Sequence, residues 1–360
     1  MGLLIILSIA ILAYFIFNLI LILFIPRKTE INPTVNIAPI SIIIAAKNEE
    51  QNISNVINSL KEQCYDKENY EVIIIDDDSS DNTYSTIQNA IDGYSNFQIH
   101  KIHDKIFPAK KGALAFGINL ASNPFIMITD ADCRPEKNWL NVFSQMFNEG
   151  YDFVFGMTPF YQHKQSVNKT ACFENLRNSF LTFSAAQLGI PYCASARSFG
   201  FKKSSFEKIN GYSNTVETLS GDDDLLLREA VKNNLKVSAV FNEGTFVYSD
   251  AKRTWKDYFR QRARHTKTSI YYLKKHKFFL GLWHTLNLVI LFSPLLFMIN
   301  ISYLFPFIFK LIVDICTVLF IQKKFGYKFR IWEIIYLQLK YEFILVFNFI
   351  NAVFRKDAWE

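Results

Sequence analysis

The sequence predicts a mostly parallel α/β sheet flanked by helices, with membrane-spanning helices at both ends of the chain. Three observations lead there. From residue 40 onward, short apolar runs (SIIIAA, EVIIID, FQIHKI and FIMITD) alternate with amphipathic stretches, and strands this uniformly apolar belong to sheets covered on both faces. Carboxylates cluster where those runs stop. Finally, half of the 360 residues are hydrophobic and 35 are Phe, and this material concentrates in the first 25 residues and beyond residue 278.

The opening GLLIILSIAILAYFIFNLILILFI is long enough to cross a bilayer as a helix. Arg27 and Lys28 follow it directly, which by the positive-inside rule puts the next domain in the cytoplasm. A cleaved secretory signal would want a basic start, a shorter apolar core and a small-residue cleavage site. The expected organisation is an anchor over 1–26, an α/β domain over 38–250, a basic amphipathic segment over 251–278 lying on the membrane, and membrane helices over 279–354. Such a chain is a multi-pass protein of the inner (cytoplasmic) membrane. Cys64, Cys133, Cys172, Cys193 and Cys316 are scattered and form no CxxC pair, so neither a disulfide framework nor a zinc site is expected.

Within the α/β domain, the runs read as strands and the segments from Glu49, Thr83 and Lys110 as the helices between them. Ligands of parallel sheets sit beyond the carboxyl ends of the strands. Glu49 follows the first strand, Asp76 and Asp77 the second, and Asp130 and Asp132 the fourth. Taken singly, such residues cap helices or make turns. Gathered on one rim they repel, unless something cationic joins them. A divalent metal carrying a diphosphate would do so, with Asp132 or Asp130 as oxygen ligand. The segment DDDSSDNTYSTI lacks the central glycine and terminal glutamate of a calcium loop.

Asp222, Asp223 and Asp224 open an amphipathic helix. The helix dipole explains one or two of them; a carboxylate here also suits general-base chemistry. Residues 252–277 carry ten Lys and Arg against one Asp, with aromatics interleaved. Just before an apolar span, such a stretch fits an anionic membrane surface better than nucleic acid.

SIIIAAKNEEQNI, EVIIIDDDSSDNT, KKGALAFGINLA, ITDADCRP and SGDDDLLLRE resemble, in order and approximate spacing, the motifs of family 2 glycosyltransferases of the GT-A fold. The resemblance covers about residues 38–270. It implies inverting transfer of a sugar from a nucleoside diphosphate donor. By that resemblance Glu49, Asp76 and Asp77 lie against the base and ribose, Lys110 or Lys111 faces the nucleotide, and Asp130 with Asp132 holds Mg²⁺ or Mn²⁺ on the diphosphate. The family's acidic pair falls at SGDD, which makes Asp223 the expected base and Asp222 its neighbour; registering on LLLR instead favours Asp222. QRARH at 261–265 is similar to the QxxRW motif of the cellulose and hyaluronan synthase group. Gln261 and Arg264 carry over to the diphosphate side. His265 replaces the tryptophan on the acceptor side.

Arg197, in a segment where the family is usually uncharged, is a candidate donor contact. Glu174 is expected to be solvated. Residues 279–298 and 300–321 read as two spans joined by a turn near Asn300, with Lys310 and Asp314 forming a mutual pair. Residues 331–354 are broken by Glu333, Gln338, Lys340 and Glu342 and read as a possible third C-terminal span. Few helices and no QxxRW tryptophan favour transfer of one or a few sugars onto a lipid-linked or cell-surface glycan acceptor, in polysaccharide or glycolipid assembly. Competing readings are a processive synthase acting as an oligomer, nucleotidyl transfer, which needs neither the acidic pair nor QxxR, and an inactive membrane scaffold.

Overall fold

The computed structural model describes residues 2–31 and 37–354. It divides into two compact units, Met1–Ile25, Gln162–Ile190 and Ala251–Glu360 in one, and Pro26–Tyr161 and Pro191–Asp250 in the other.

The second unit holds the sheet. In chain order its elements are β1 (Ile40–Ala46), α2 (Ile53–Lys61), β2 (Tyr70–Asp76), α3 (Thr83–Ile91), β3 (Phe97–Lys101), α4 (Lys110–Leu120), β4 (Phe125–Ile128), β5 (Cys133–Pro135), α5 (Trp139–Asn148), β6 (Phe153–Gly156), β7 (Phe199–Lys202), α7 (Lys203–Lys208), α8 (Asp224–Lys232), β8 (Val237–Val240) and β9 (Val247–Ser249). Seven strands run in the order β3-β2-β1-β4-β7-β6-β8, and β5 pairs with β9 separately. The β3-β2-β1-β4 half is parallel. β7 runs antiparallel to both β4 and β6, and β8 is parallel to β6.

The apolar runs are strands because both their faces are covered. Ile40, Ile42 and Ile44 join Val56, Leu60, Trp139 and Phe143 in one core. On the other face α4 packs so closely that a Cβ on Gly117 would stand 2.6 Å from Ile43 Cγ2. Truncating a central isoleucine to alanine would cost roughly 2–5 kcal/mol.

Two boundaries differ from the sequence expectation. The first helix begins at Ile53 rather than Glu49, because Asn48 takes a positive φ of 56° and binds the neighbouring loop. β4 stops at Ile128, so Asp130 lies beyond the strand in the turn.

The first unit contains α1 (Gly2–Leu23), α6 (Ser166–Gln187), α9 (Trp255–Thr268), α10 (Lys274–Phe292), α11 (Phe305–Ile321) and α12 (Ile331–Phe354). Among the described residues, three helical stretches are long and apolar enough to cross a membrane: Gly2–Leu23, Lys274–Leu296 and Ile301–Ile321. The turn between the latter two is capped by Asn300, whose side chain accepts from Ser302 N at 2.8 Å.

Lys310 and Asp314 pair at 2.7 Å as expected, within a larger buried network. Asp314 also accepts from Arg177 of α6, Tyr14 of α1 and Gln338 of α12, and Lys310 reaches Glu342. The polar breaks in α12 thus point into protein: Glu333 pairs with Lys169, and Glu342 with Lys310. Glu174 is a correction. It is 3% exposed, accepts from Tyr258 and pairs with Arg262 at 2.9 Å. Its partners lie on α9, more than eighty residues along the chain, so nothing local marked it as buried.

Candidate active site

The site builds up from three strand ends. After β1, Asn48 sits in the left-handed region that asparagine tolerates. Its Oδ1 accepts from Ser80 N at 2.8 Å while its own N–H donates to Ser79 Oγ at 3.0 Å. The next N–H, of Glu49, donates to Thr83 Oγ1, and the Glu49 carboxylate accepts from Asn52. Part of the polar signal after the first two strands therefore serves to lace two loops together.

After β2, Asp76 is fully buried, and neither of its carboxylate oxygens has a hydrogen-bond partner among the described residues. A buried carboxylate in that condition is expensive, which makes Asp76 an acceptor suited to a bound donor group. Asp77 is held by Lys105, whose ammonium donates to both carboxylate oxygens at 2.7 and 2.9 Å. Lys105 belongs to no motif, and its only sequence signal is the basic character of the loop before KKG.

That loop folds tightly against the start of α4. A Cβ on Gly112 would lie 2.2 Å from Phe107 O, so only glycine fits. Ala109, the residue before the helix, adopts φ 54° and ψ −144°, a conformation that costs on the order of 1–3 kcal/mol and tends to persist at functional sites. Beyond it the two lysines part company. Lys110 forms ion pairs with Asp130 and with Asp222, the latter at 3.1 Å. Burial works against its charge, but Asp130 and Asp222 outweigh that and hold its pKa well above the ordinary lysine value. Lys111 is fully buried and donates to the carbonyls of Thr215 and Thr218, tying down the loop that leads to Asp222.

After β4, Asp130 and Asp132 straddle a turn fixed on one side by the β5–β9 pairing. Ligand atoms of Asp130, Asp132 and Cys133 lie within 4.8 Å of one another. Burial first, then Asp132 and Asp130, push the Cys133 thiol pKa well above its usual value. The thiol is fully buried, and a soft sulfur donor suits Mg²⁺ or Mn²⁺ less well than carboxylate oxygens do. The remaining carboxylates form a hard oxygen set that fits Mg²⁺ or Mn²⁺.

At the fourth corner, the three consecutive aspartates separate by role. Asp223 caps α8, accepting from Asp224 N at 2.7 Å and from Ala196 N at 2.8 Å. Asp224 accepts from Ala194 N. Asp222 pairs with Lys110. Arg197 lies 4.5 Å over the Phe160 ring and donates to Ser249 Oγ. Gln261, Arg264 and His265 lie on α9 of the other unit, the first half-buried and the other two exposed. Lys110 thus joins Asp130 to Asp222, and the second unit brings Asp76, Asp77, Asp130, Asp132 and Asp222 to the strand-end rim.

This arrangement is that of a GT-A domain. Residues 41–209 match the family model "Glycosyl transferase family 2", which makes this segment a family 2 glycosyltransferase domain. Among solved structures, a mannosyltransferase from Pyrobaculum calidifontis in complex with GDP-Man and Mn²⁺ superposes with a TM-score of 0.66 at 14% identity, covering 99% of both chains. Glycosyltransferase AglE of Haloferax volcanii is 32% identical over 34% of this chain and 40% of its own length. A dolichyl N-acetyl-α-D-glucosaminyl phosphate 3-β-D-2,3-diacetamido-2,3-dideoxy-β-D-glucuronosyltransferase of Methanococcus voltae is 37% identical over 28% of this chain and 31% of its own length. The chain spans about half or less of the relatives it matches.

Proposed function

We propose that this chain is a membrane-anchored, metal-dependent, inverting glycosyltransferase that moves a sugar from a nucleoside diphosphate sugar to a lipid-linked or cell-surface glycan acceptor, one or a few residues at a time. The observation that carries this reading is the bridge from Asp130 through Lys110 to Asp222, which puts the candidate metal and base loops around one centre of positive charge.

In this reading Asp76 accepts a hydrogen bond from the base or ribose, and Asp77 and Glu49 line the same edge. Asp130 and Asp132 would hold Mg²⁺ or Mn²⁺, which when bound neutralises charge developing on the departing diphosphate. The acceptor oxygen attacks the anomeric carbon opposite the diphosphate; the new C–O bond forms as the C–O bond to phosphate breaks. The acceptor proton goes to a carboxylate within hydrogen-bond reach, and we assign it to Asp222. Supporting this choice, both oxygens of Asp223 already accept backbone N–H groups, whereas Asp222 faces Lys110. Gln261 and Arg264 are assigned to the diphosphate and His265 to the acceptor side, by resemblance to QxxRW. A membrane-embedded anchor and a lipid-linked acceptor fit the three long apolar helices. The relative acting on a dolichyl-linked sugar points the same way.

The test is release of nucleoside diphosphate by the detergent-solubilised full chain, offered a panel of nucleotide sugars with and without a chelator. Release that needs a divalent ion and collapses in Asp132→Asn supports the reading. Release unaffected by both would overturn it.

A further inference from the structure

We propose that Lys110 is a built-in stand-in for the divalent cation: without nucleotide its ammonium holds Asp130, and it must be drawn away before the metal can bind there. This rests on the metal-dependent reading given above.

The geometry sets up a competition. Asp130 is both a member of the group whose ligand atoms lie within 4.8 Å of one another and the nearest ion-pair partner of Lys110. An ammonium in contact with that carboxylate repels an incoming divalent ion and occupies one of its ligands. The main chain cannot take Lys110 away. It is the first residue of α4, with strained Ala109 before it and the close contact at Gly112 just after it. The side chain can move, because its stem is long and flexible. Asp222, at 3.1 Å, keeps the ammonium in the cleft while it shifts. A nucleoside diphosphate supplies the charge that draws it over, since its phosphate oxygens offer Lys110 new partners and release Asp130. Metal and nucleoside diphosphate then bind with positive coupling, and by reciprocity each tightens the other. The lysine also offsets the mutual repulsion of Asp130 and Asp222.

Mn²⁺ binding to the detergent-solubilised full chain, read by electron paramagnetic resonance without nucleotide, tests this directly. Lys110→Met should bind Mn²⁺ about tenfold more tightly than wild type, a factor within the usual range for coupled sites. Lys110→Arg, which keeps the charge, should stay as weak as wild type. Adding uridine or guanosine diphosphate should tighten Mn²⁺ in wild type, and by a smaller factor in Lys110→Met, where only direct ligation of the ion by phosphate oxygens remains. If Lys110→Met melts below the assay temperature, Lys110→Gln serves instead, with the same expectation. Nucleotide-free affinity that is unchanged or weaker in the neutral variants, while wild type still binds Mn²⁺ with nucleotide, overturns the stand-in role alone. Wild type that takes up no Mn²⁺ even with nucleotide overturns it together with the metal-dependent reading.

Discussion

Replacing Asp222 and Asp223 separately by asparagine should divide their roles. Each change removes one charge and keeps the side-chain volume. Asp222 pairs with Lys110, which keeps Asp130 as a second carboxylate partner, so its replacement should leave folding nearly intact. Its turnover should fall by about 10²–10⁴, the usual contribution of a general base, equivalent to about 3–5 kcal/mol on the barrier. Asp223→Asn presents the opposite balance. Asparagine caps a helix about as well as aspartate, but it has one acceptor where two N–H donors, Asp224 N and Ala196 N, now bind. Leaving one of these buried N–H groups unpaired costs about 1–3 kcal/mol. Part of that is offset, because burial, Asp224 and Asp222 raise the Asp223 pKa and so disfavour its charge. The assays are turnover at saturating donor, nucleoside diphosphate affinity by calorimetry, and the thermal midpoint. The expected pattern is a catalytic defect with normal affinity and melting for Asp222→Asn, and lowered melting with turnover within about tenfold of wild type for Asp223→Asn. Near-normal turnover in Asp222→Asn beside a hundredfold or larger loss in a well-folded Asp223→Asn would refute the assignment.

Three further outcomes are expected. Glu71 accepts from Ser41 Oγ and from Ser122 N and Oγ; burial opposes its charge, but these bonds prevail and lower its pKa. Its stabilisation is therefore present above the unfolded-state value of about 4.3 and is lost as pH falls through the folded-state value. Glu71→Gln should lose about 1 kcal/mol at pH 7, and thermal midpoints of variant and wild type should converge in acid; an equal deficit at both pH values counts against this. Glu174→Gln should take the buried ion-pair partner from the half-buried Arg262 of α9, at a cost of at most about 3–5 kcal/mol. A thermal midpoint within a degree or two of wild type would contradict that. Asp314→Asn should destabilise the detergent-solubilised chain by a similar amount, because Arg177 and Lys310 both pair with it; melting unchanged from wild type would show that the network carries no stability.

The first half of the sheet was legible because β1, β2 and β4 are uniformly apolar runs ending in carboxylates. β6, β7 and β8 are four residues each, and unlike the equally short β4 they are not followed by a pair of aspartates that marks a strand end, so the antiparallel centre of the sheet stayed hidden. The burial of α6 was hidden for a different reason. It is buried on most sides and buries Asn168, Thr170, Glu174, Arg177 and Ser184 with its apolar residues, which leaves no polar face to reveal its period. Site residues were legible where a strand end supplied the context, as for Asp76 and Asp130. Within DDD at 222–224 the pattern is degenerate, and only the backbone partners of Asp223 and Asp224 distinguish the three. Lys105 escaped because an ion pair to Asp77 across 28 residues leaves no local trace.

The most direct measurement is calorimetric titration of the full chain with uridine and guanosine diphosphates, with and without Mn²⁺, in wild type, Asp76→Asn and Asp132→Asn. The account predicts that wild type binds at least one of the two far more tightly with Mn²⁺. Asp132→Asn should lose the metal-dependent part and Asp76→Asn should weaken binding at any metal level. Tight binding that ignores both the metal and the two substitutions would contradict a nucleotide site built on these strand ends.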